Sequence, residues 1–177
     1  MATKMKILLV SDNHGDKKIL ETIADHFAGQ VDEMFHCGDS NIDASRQLMK
    51  RYSTVIGNTD WGLDYPEVVT RHIKGQVITV THGHLYQVNR TLTPLLLLAQ
   101  ETNADVVAYG HTHQLAVTQR DQRLFINPGS ISLPRGQYAN IGGTFAIVEA
   151  TTDQFNVQYY DRNLKPIPKL KFIFHRN

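Results

Sequence analysis

Short apolar runs recur along the chain, and most of them end in a polar residue or a glycine. Residues 6–11 (KILLVS) predict a buried strand. The segment 17–29 predicts a helix ending at Gly29, because its apolar residues recur on one helical face: Ile19, Leu20, Ile23 and Phe27. A strand, a helix and a strand follow, at 33–38, 43–52 and 53–57. Such alternation is typical of a parallel sheet covered by helices.

The rest of the chain is richer in strands. Two β-branched runs, 67–73 and 76–83, predict an antiparallel hairpin, and residues 90–103 predict a helix with Pro94 in its first turn. A buried strand at 105–110 follows, and the five strand-like stretches after Gln114 predict a largely antiparallel sheet. Because each sheet must bury an apolar face, we expect an α/β fold with two packed mixed sheets flanked by helices.

Length and charge narrow the class of protein. A chain of 177 residues fits a single domain spanning 1–177. Its formal net charge of +1 provides no general field for nucleic acid or an anionic membrane, so we expect neither as a partner. The single cysteine, Cys37, fits a reducing compartment, and no apolar stretch is long enough for a membrane span. We therefore expect a cytoplasmic protein that recognises any anionic substrate locally; its oligomeric state stays open.

Potential metal ligands follow five of the apolar strand segments directly. In chain order they are Asp12, His14, Asp39, Asn58, His82, His84, His111 and His113. Ligand sites in such sheets lie beyond the carboxyl ends of the strands, where loops from several strands converge. Residues at i and i+2 of an extended segment project to the same side, so His111 and His113 can approach one site. The pattern predicts a shared metal site.

The residue types indicate which ions the site prefers. Imidazole nitrogen together with carboxylate and amide oxygen suits borderline and hard divalent ions, and a single cysteine argues against a structural zinc site. Two ions held about 3.5–4 Å apart need six or seven protein ligands with one carboxylate between them. The set above supplies that number, so the sequence predicts a dinuclear site.

The motifs D-x-H, G-D, G-N, H-G-H and G-H-T-H, in this order, resemble those of the calcineurin-like metallophosphoesterases as far as Gly129. The "GNTD" and "NPGS" segments are most similar to the small prokaryotic, YfcE-like phosphodiesterases. By contrast, "HTHQLA" lacks the second half of the H-x-H-x-D-H motif of metallo-β-lactamases. The resemblance implies a four-layer α/β/β/α sandwich.

The resemblance also implies a role for each motif residue. One ion is expected to be held by Asp12, His14, Asp39 and His113, and the second by Asp39, Asn58, His82 and His111. Asp39 bridges the two, and Asp39, Asn58 and His84 are expected to be the catalytic residues. His84 is expected to hydrogen-bond either the substrate phosphate or the metal ligands. Manganese is the first expectation for both ions, and iron, zinc, nickel or cobalt also accept these ligands.

The implied reaction is hydrolysis of a small phosphate ester, most simply a phosphodiester, by a hydroxide that bridges the two ions. Many members of the family have a histidine after the G-N asparagine, whereas this chain has Thr59. A threonine hydroxyl is too weak an acid to replace it near pH 7, so we expect aryl diesters to be cleaved faster than alkyl diesters. Two alternatives stay open: a weakly catalytic interaction scaffold, like a eukaryotic retromer subunit of this fold, and a phosphomonoesterase or protein phosphatase.

Three nearby residues have weaker expectations. Trp61 is expected to pack, with stacking on an aromatic leaving group as the alternative. Ser130 and Arg135 lie in a loop where the family resemblance continues, and either is a candidate for contacting the substrate phosphate.

Overall fold

The computed structural model describes residues 3–177. It contains two α-helices, α1 (Lys17–Phe27) and α2 (Thr93–Glu101). The eleven strands are β1 Met5–Val10, β2 Glu33–His36, β3 Ser53–Thr54, β4 Val68–Ile73, β5 Gln76–Thr81, β6 Val106–Ala108, β7 Ala116–Arg120, β8 Arg123–Asn127, β9 Thr144–Ala150, β10 Gln154–Asp161 and β11 Pro166–His175. Short 3₁₀ turns occupy Met49–Arg51, His84–Tyr86 and Ala139–Ile141. In the part of the chain described, no helix has the length and apolar character needed to cross a membrane.

The strands form two mixed sheets. The first has six strands in the order β11-β10-β9-β1-β2-β3, and the second has five in the order β4-β5-β6-β8-β7. Strands β1, β2 and β3 are mutually parallel, as are β5, β6 and β8, whereas β9, β10 and β11 in the first sheet and β4 and β7 in the second pair antiparallel with their neighbours. Each sheet therefore contains three parallel strands, at one end of the first sheet and in the middle of the second, whose carboxyl ends point the same way.

Three apolar clusters hold four layers together. The largest lies between the sheets, where Ile7 and Leu9 of β1 belong to the same cluster as Ile78 and Val80 of β5. On the outer face of the first sheet, Leu8 packs with α1 residues such as Leu20. Helix α2 covers the outer face of the second sheet through a cluster that contains Leu95, Val107 and Phe125. The α/β/β/α arrangement confirms the expected fold class.

Two predictions about the fold were wrong. Residues 43–52 do not form an α-helix: Asp43 accepts hydrogen bonds from the Ser45 amide and hydroxyl, which stabilises a turn, and only the 3₁₀ turn Met49–Arg51 follows. The strands after Gln114 do not form one sheet. Strands β7 and β8 join the second sheet, since β8 pairs in parallel with β6, and β9 to β11 extend the first.

Candidate metal centre

The predicted ligands lie on loops at one edge of the molecule, beyond the carboxyl ends of the parallel strands of both sheets. The first sheet supplies Asp12, His14, Asp39 and Asn58, and the second supplies His82, His111 and His113. Five of these seven have a positive φ between 45° and 70°: Asp12, His14, Asp39, His111 and His113. Left-handed backbone costs a non-glycine residue about 1–2 kcal/mol, and such strain concentrates at functional sites. The backbone conformation of these loops is therefore typical of a functional site and is not the one of lowest local energy.

Four of the predicted ligands form one tight group. Ligand atoms of Asp12, His14, Asp39 and His113 all lie within 4.8 Å of one another. The Nε2 atom of His113 is 3.2 Å from Asp12 Oδ1 and 3.2 Å from His14 Nε2. Asp12 and His113 are buried, and His14 closes the group on the solvent side.

Hydrogen bonds on the far side of each ring fix the tautomers in this group. His113 Nδ1 donates to the Leu133 carbonyl oxygen at 2.8 Å, and His14 Nδ1 donates to Asn41 Oδ1 at 3.3 Å. In the neutral rings both Nε2 atoms therefore carry lone pairs, and these face each other and the Asp12 carboxylate. Such a convergence of acceptors is stable only when a cation, or additional protons, lies between them.

The remaining ligands form a second group that shares Asp39 with the first. Asn58 Oδ1 lies 2.9 Å from His111 Nδ1 and 3.1 Å from His82 Nε2, and His82 Nε2 lies 3.4 Å from Asp39 Oδ2. His82 Nδ1 donates to the Cys37 carbonyl oxygen at 2.7 Å, so its Nε2 also presents a lone pair to the group. The structure thus brings together all seven residues predicted as ligands.

The donor set fits divalent cations on two observations. Within residues 3–177 the buried Asp12 Oδ1 has no hydrogen-bond partner, which leaves an acceptor that needs a cation or a proton. Neighbouring ligands of an octahedral ion with bonds of about 2.1 Å lie about 3.0 Å apart. The contacts of 2.9 and 3.1 Å to Asn58 and of 3.2 Å to His113 match that separation. Both groups therefore suit ions that accept mixed nitrogen and oxygen ligands.

The titration behaviour of the ligands reflects their crowding. Burial alone would raise the pKa of Asp39, but hydrogen bonding and the charge of His82, with the Thr59 amide, hold it well below the usual range of a carboxyl. The adjacent Asp12 carboxylate, 3.2 Å from Nε2, raises the pKa of His113. Burial opposes protonation of His82, yet Asp39 and Asp12 raise its pKa. Protons therefore partly compensate the negative site when cations do not.

Asp60 fixes the positions of the two loops that carry Asp39 and Asn58 relative to each other. Its buried carboxylate accepts hydrogen bonds from the amides of Asp39, Gly57 and Asn41, each at 2.8 Å. Gly57 permits this approach, since a Cβ there would lie 2.0 Å from Asp39 Oδ1. The sequence did not indicate Asn41, whose Oδ1 accepts a hydrogen bond from His14 Nδ1 at 3.3 Å and so orients that ring. The one available signal for Asn41 is its position two residues after Asp39 in a polar turn.

Other residues near the predicted ligands lie in varied positions. His84 is half-buried beside them, with its ring 5.3 Å from that of His82, and its buried Nδ1 has no hydrogen-bond partner. Thr59 and Arg135 line a pocket of about 210 Å³ in front of the group. Ser130 does not face this pocket: its buried hydroxyl donates to the Asp12 carbonyl at 2.8 Å.

The expectation that Trp61 packs was wrong, because its side chain is 86% exposed. It lies in a loop directly after the buried Asp60, whose carboxylate is turned towards the ligand loops. The indole is thus left on the solvent side of that loop, where it lines a pocket together with Asn58.

Comparisons with known proteins agree with the geometry. The model of the calcineurin-like phosphoesterase superfamily domain matches residues 5–153. The probable metallophosphoesterase YsnB of Bacillus subtilis is 36% identical over 158 residues, covering 89% of this chain and 92% of its own. Phosphodiesterase YfcE of Escherichia coli is 27% identical over 180 residues, covering 85% of this chain and 94% of its own.

A solved structure shows the same fold over almost the whole chain. The crystal structure of a predicted phosphoesterase from Streptococcus pneumoniae has a TM-score of 0.95 and 36% identity, and the match covers 99% of this chain and 100% of that one. Together with the family match over residues 5–153, this similarity settles the family. The chain belongs to the calcineurin-like phosphoesterase superfamily.

Proposed function

We propose that this protein is a phosphodiesterase that uses two divalent metal ions. The observation that carries the proposal is the pair of ligand groups joined at Asp39, in which lone pairs face one another and the buried Asp12 Oδ1 has no partner. A protein that served only as a scaffold would have no chemical reason to keep this destabilising arrangement. The name of the YfcE relative supports diesters as the substrate class.

Each ligand has a distinct part in this proposal. Asp12, His14 and His113 would hold one ion, Asn58, His82 and His111 would hold the other, and Asp39, which belongs to both groups, would contribute to each. The two ions, when bound, supply the charge that lowers the pKa of a water molecule and neutralises the phosphoryl oxygens during in-line displacement. The protein's remaining task is to position the ester in front of them.

His84 and Thr59 are the groups placed to meet the substrate. The half-buried His84 lines a pocket together with Asn58, which makes its ring available to hydrogen-bond a phosphoryl oxygen, whereas its buried Nδ1 can reach only neighbouring protein groups. Thr59 lines the pocket in front of the ligands, where its hydroxyl accepts a hydrogen bond from Asn41 Nδ2 at 3.0 Å, but a threonine hydroxyl is too weak an acid to protonate a leaving group near pH 7. No strong acid is therefore supplied from this position, and we expect good leaving groups to be required.

The direct test measures metal content and hydrolysis on one preparation. Protein purified without chelator, or reloaded with manganese, is expected to hold about two ions per chain and to cleave bis(4-nitrophenyl) phosphate. The rate on 4-nitrophenyl phosphate, a monoester with the same leaving group, is expected to be lower. Failure to hydrolyse either ester with manganese, iron, zinc, nickel or cobalt would favour a scaffold. Faster cleavage of the monoester would favour a phosphomonoesterase.

The leaving-group expectation has its own probe. The wild-type enzyme is expected to prefer aryl over alkyl diesters strongly, and Thr59→His is expected to narrow that preference by supplying an acid, an effect of about 10²-fold on alkyl esters. Equal rates on aryl and alkyl diesters in the wild type would show that another acid, such as His84, already acts. His72→Ala, at an exposed position on β4, is the matched control.

A further inference from the structure

Trp61 is the single tryptophan of the chain, and its side chain is 86% exposed. A large aromatic ring in water forgoes about 1.5–3 kcal/mol of burial energy, so an indole is rarely left exposed without a partner. The loop that carries it is not loose. Asp60, the residue before it, accepts hydrogen bonds from three amides, and the Leu63 amide donates to the Asp60 carbonyl at 3.2 Å.

Trp61 forms one side of an open pocket of about 450 Å³. Leu85, which is 54% exposed, lies in the 3₁₀ turn that begins at His84 and also lines the pocket. Single exposed apolar residues are ordinary on protein surfaces, but two of them converge here on one cavity. The remaining polar lining includes the exposed carboxylate of Glu67, an acceptor of hydrogen bonds.

The pocket is continuous with the ligand groups. Asn58, a predicted metal ligand, and His84 both line it, and Asn58 also lines the smaller pocket that contains Thr59 and Arg135. A phosphate at the predicted ligands would therefore lie in this smaller polar pocket and would have the larger, mostly apolar pocket directly beside it. A group attached to the phosphate reaches Trp61 without leaving the surface of the protein.

We propose that this pocket binds the planar heteroaromatic ring of the substrate, so that the natural ester is a nucleotide-type phosphodiester whose base stacks on Trp61. The inference rests on the proposed function, since the phosphate of the same molecule must lie at Asn58. Stacking needs a flat π-system, which Trp61 offers at the pocket wall, and Leu85 contacts the edge of the ring. Glu67 accepts a hydrogen bond from a ring N–H or exocyclic amine, which favours bases over simple phenyl groups.

Binding can be tested without hydrolysis, because the intrinsic tryptophan fluorescence of this protein comes from Trp61 alone. Titration of the zinc-loaded protein with adenosine 5′-monophosphate is expected to quench that fluorescence saturably, whereas ribose 5-phosphate leaves it unchanged. Leu85→Ala is expected to weaken the adenosine 5′-monophosphate affinity several-fold. The matched control is Leu97→Ala on α2, which removes an equally exposed leucine. Identical fluorescence with both phosphates, or equal effects of the two leucine variants, would overturn the proposal.

Turnover gives an independent readout. Thymidine 5′-(4-nitrophenyl) phosphate and methyl 4-nitrophenyl phosphate share one leaving group and differ in the presence of a base. Trp61→Ala is expected to lower kcat/KM for the thymidine ester about tenfold and for the methyl ester less than twofold, and Trp61→Phe is expected to recover most of the loss. Equal losses on both esters would contradict base stacking. If the wild type cleaves neither ester, the proposed function fails, and the fluorescence titration still decides whether the pocket binds a base.

Discussion

His36 and His82 are both fully buried and lie at or just after the carboxyl end of a strand, on the edge that carries the predicted ligands, yet they have opposite surroundings. His36 has a protein partner on each nitrogen: Nδ1 accepts from the Gly38 amide at 3.1 Å, and Nε2 donates to Asn13 Oδ1 at 2.8 Å. His82 has a partner only on Nδ1, and its Nε2 faces the oxygens of Asn58 and Asp39. The two rings are equally buried, so the difference in their chemistry comes from the atoms that face each ring nitrogen.

The pKa directions follow from that difference. Burial lowers the pKa of His36 to about 4, because the charged ring would lose its hydration and the neutral ring already satisfies both neighbours. Burial also opposes protonation of His82, but the nearby carboxylates outweigh it and raise the pKa. A histidine whose lone pair faces acceptors is poised for a cation, whereas one whose lone pair faces an amide is part of the fold.

The largest effect that tests this comparison is on activity. His82→Ala removes a proposed ligand of the second ion. It is expected to lower kcat/KM about 10³-fold, which corresponds to a loss of several kcal/mol of transition-state stabilisation. His36→Gln, which retains an acceptor and a donor, is expected to keep kcat/KM per folded molecule within about threefold. Rates on bis(4-nitrophenyl) phosphate with saturating manganese measure both.

The comparison would break if the His36 variant lost as much activity as the His82 variant while retaining its circular dichroism spectrum and metal content. His72→Ala on β4 serves as the control for removing an imidazole elsewhere.

The next effect is on stability in acid. Unfolded His36 has a pKa near 6.5 and the folded residue about 4, so below pH 6.5 the unfolded chain binds a proton that the folded chain does not. The His36 contribution to stability is therefore present above pH 6.5 and is lost as the pH falls towards 4. By pH 5 the loss is about 2 kcal/mol, at about 1.4 kcal/mol per pH unit. Histidines whose pKa is raised in the fold, such as His82, act in the opposite sense. Their contribution to stability is present below pH 6.5 and is lost as the pH rises.

Urea unfolding of the metal-free protein at pH 7.5 and pH 5 isolates the His36 contribution as the difference between wild type and His36→Gln. The variant is expected to lose about 2 kcal/mol less than the wild type on acidification. Equal losses in the two proteins would mean that His36 is already protonated in the fold or that its pKa is not lowered.

Much of the fold could be predicted from local pattern. Helix α1 and the β4–β5 hairpin follow directly from hydrophobic periodicity and turn residues, because each is stabilised by contacts close in sequence. The assignment of β7 and β8 to the second sheet could not be predicted in this way. It depends on the pairing of β8 with β6, and a strand pattern shows that a segment has a buried face without showing which sheet receives it.

The candidate site likewise has a part that could be predicted from the sequence and a part that could not. The seven proposed ligands could be named from the sequence because each follows a strand that ends at the same edge. The groups that orient them could not, since the Cys37 and Leu133 carbonyls are backbone atoms available at every residue. The exposure of Trp61 was also not predictable, because Asp60 anchors its loop through the Asp39 and Asn41 amides of another loop.

The smallest expected effect is on the free energy of unfolding of an Asp12 variant. It tests whether the acceptors around Asp12 repel one another, as they would not in an ordinary hydrogen-bonded polar core. Asp12 Oδ2 already accepts from the Ser11 hydroxyl and the His111 amide, whereas Oδ1 is unpartnered and lies 3.2 Å from His113 Nε2. Asp12→Asn keeps the shape of the side chain and places an N–H donor opposite the lone pair of His113 Nε2. In chelator at pH 8.5, above the usual pKa of histidine, the variant is expected to be about 1 kcal/mol more stable than the wild type. Thermal unfolding measures the difference.

The same substitution is expected to abolish most of the stabilisation that manganese or zinc confers on the wild type, because ions that bind only the folded state stabilise it in proportion to their affinity. Asp64→Asn, at an exposed position, should change neither quantity. A variant that is less stable than the wild type in chelator and is still stabilised by metal would show that Asp12 is a structural hydrogen-bond acceptor. In that case the converging lone pairs would not be the source of the site's demand for cations.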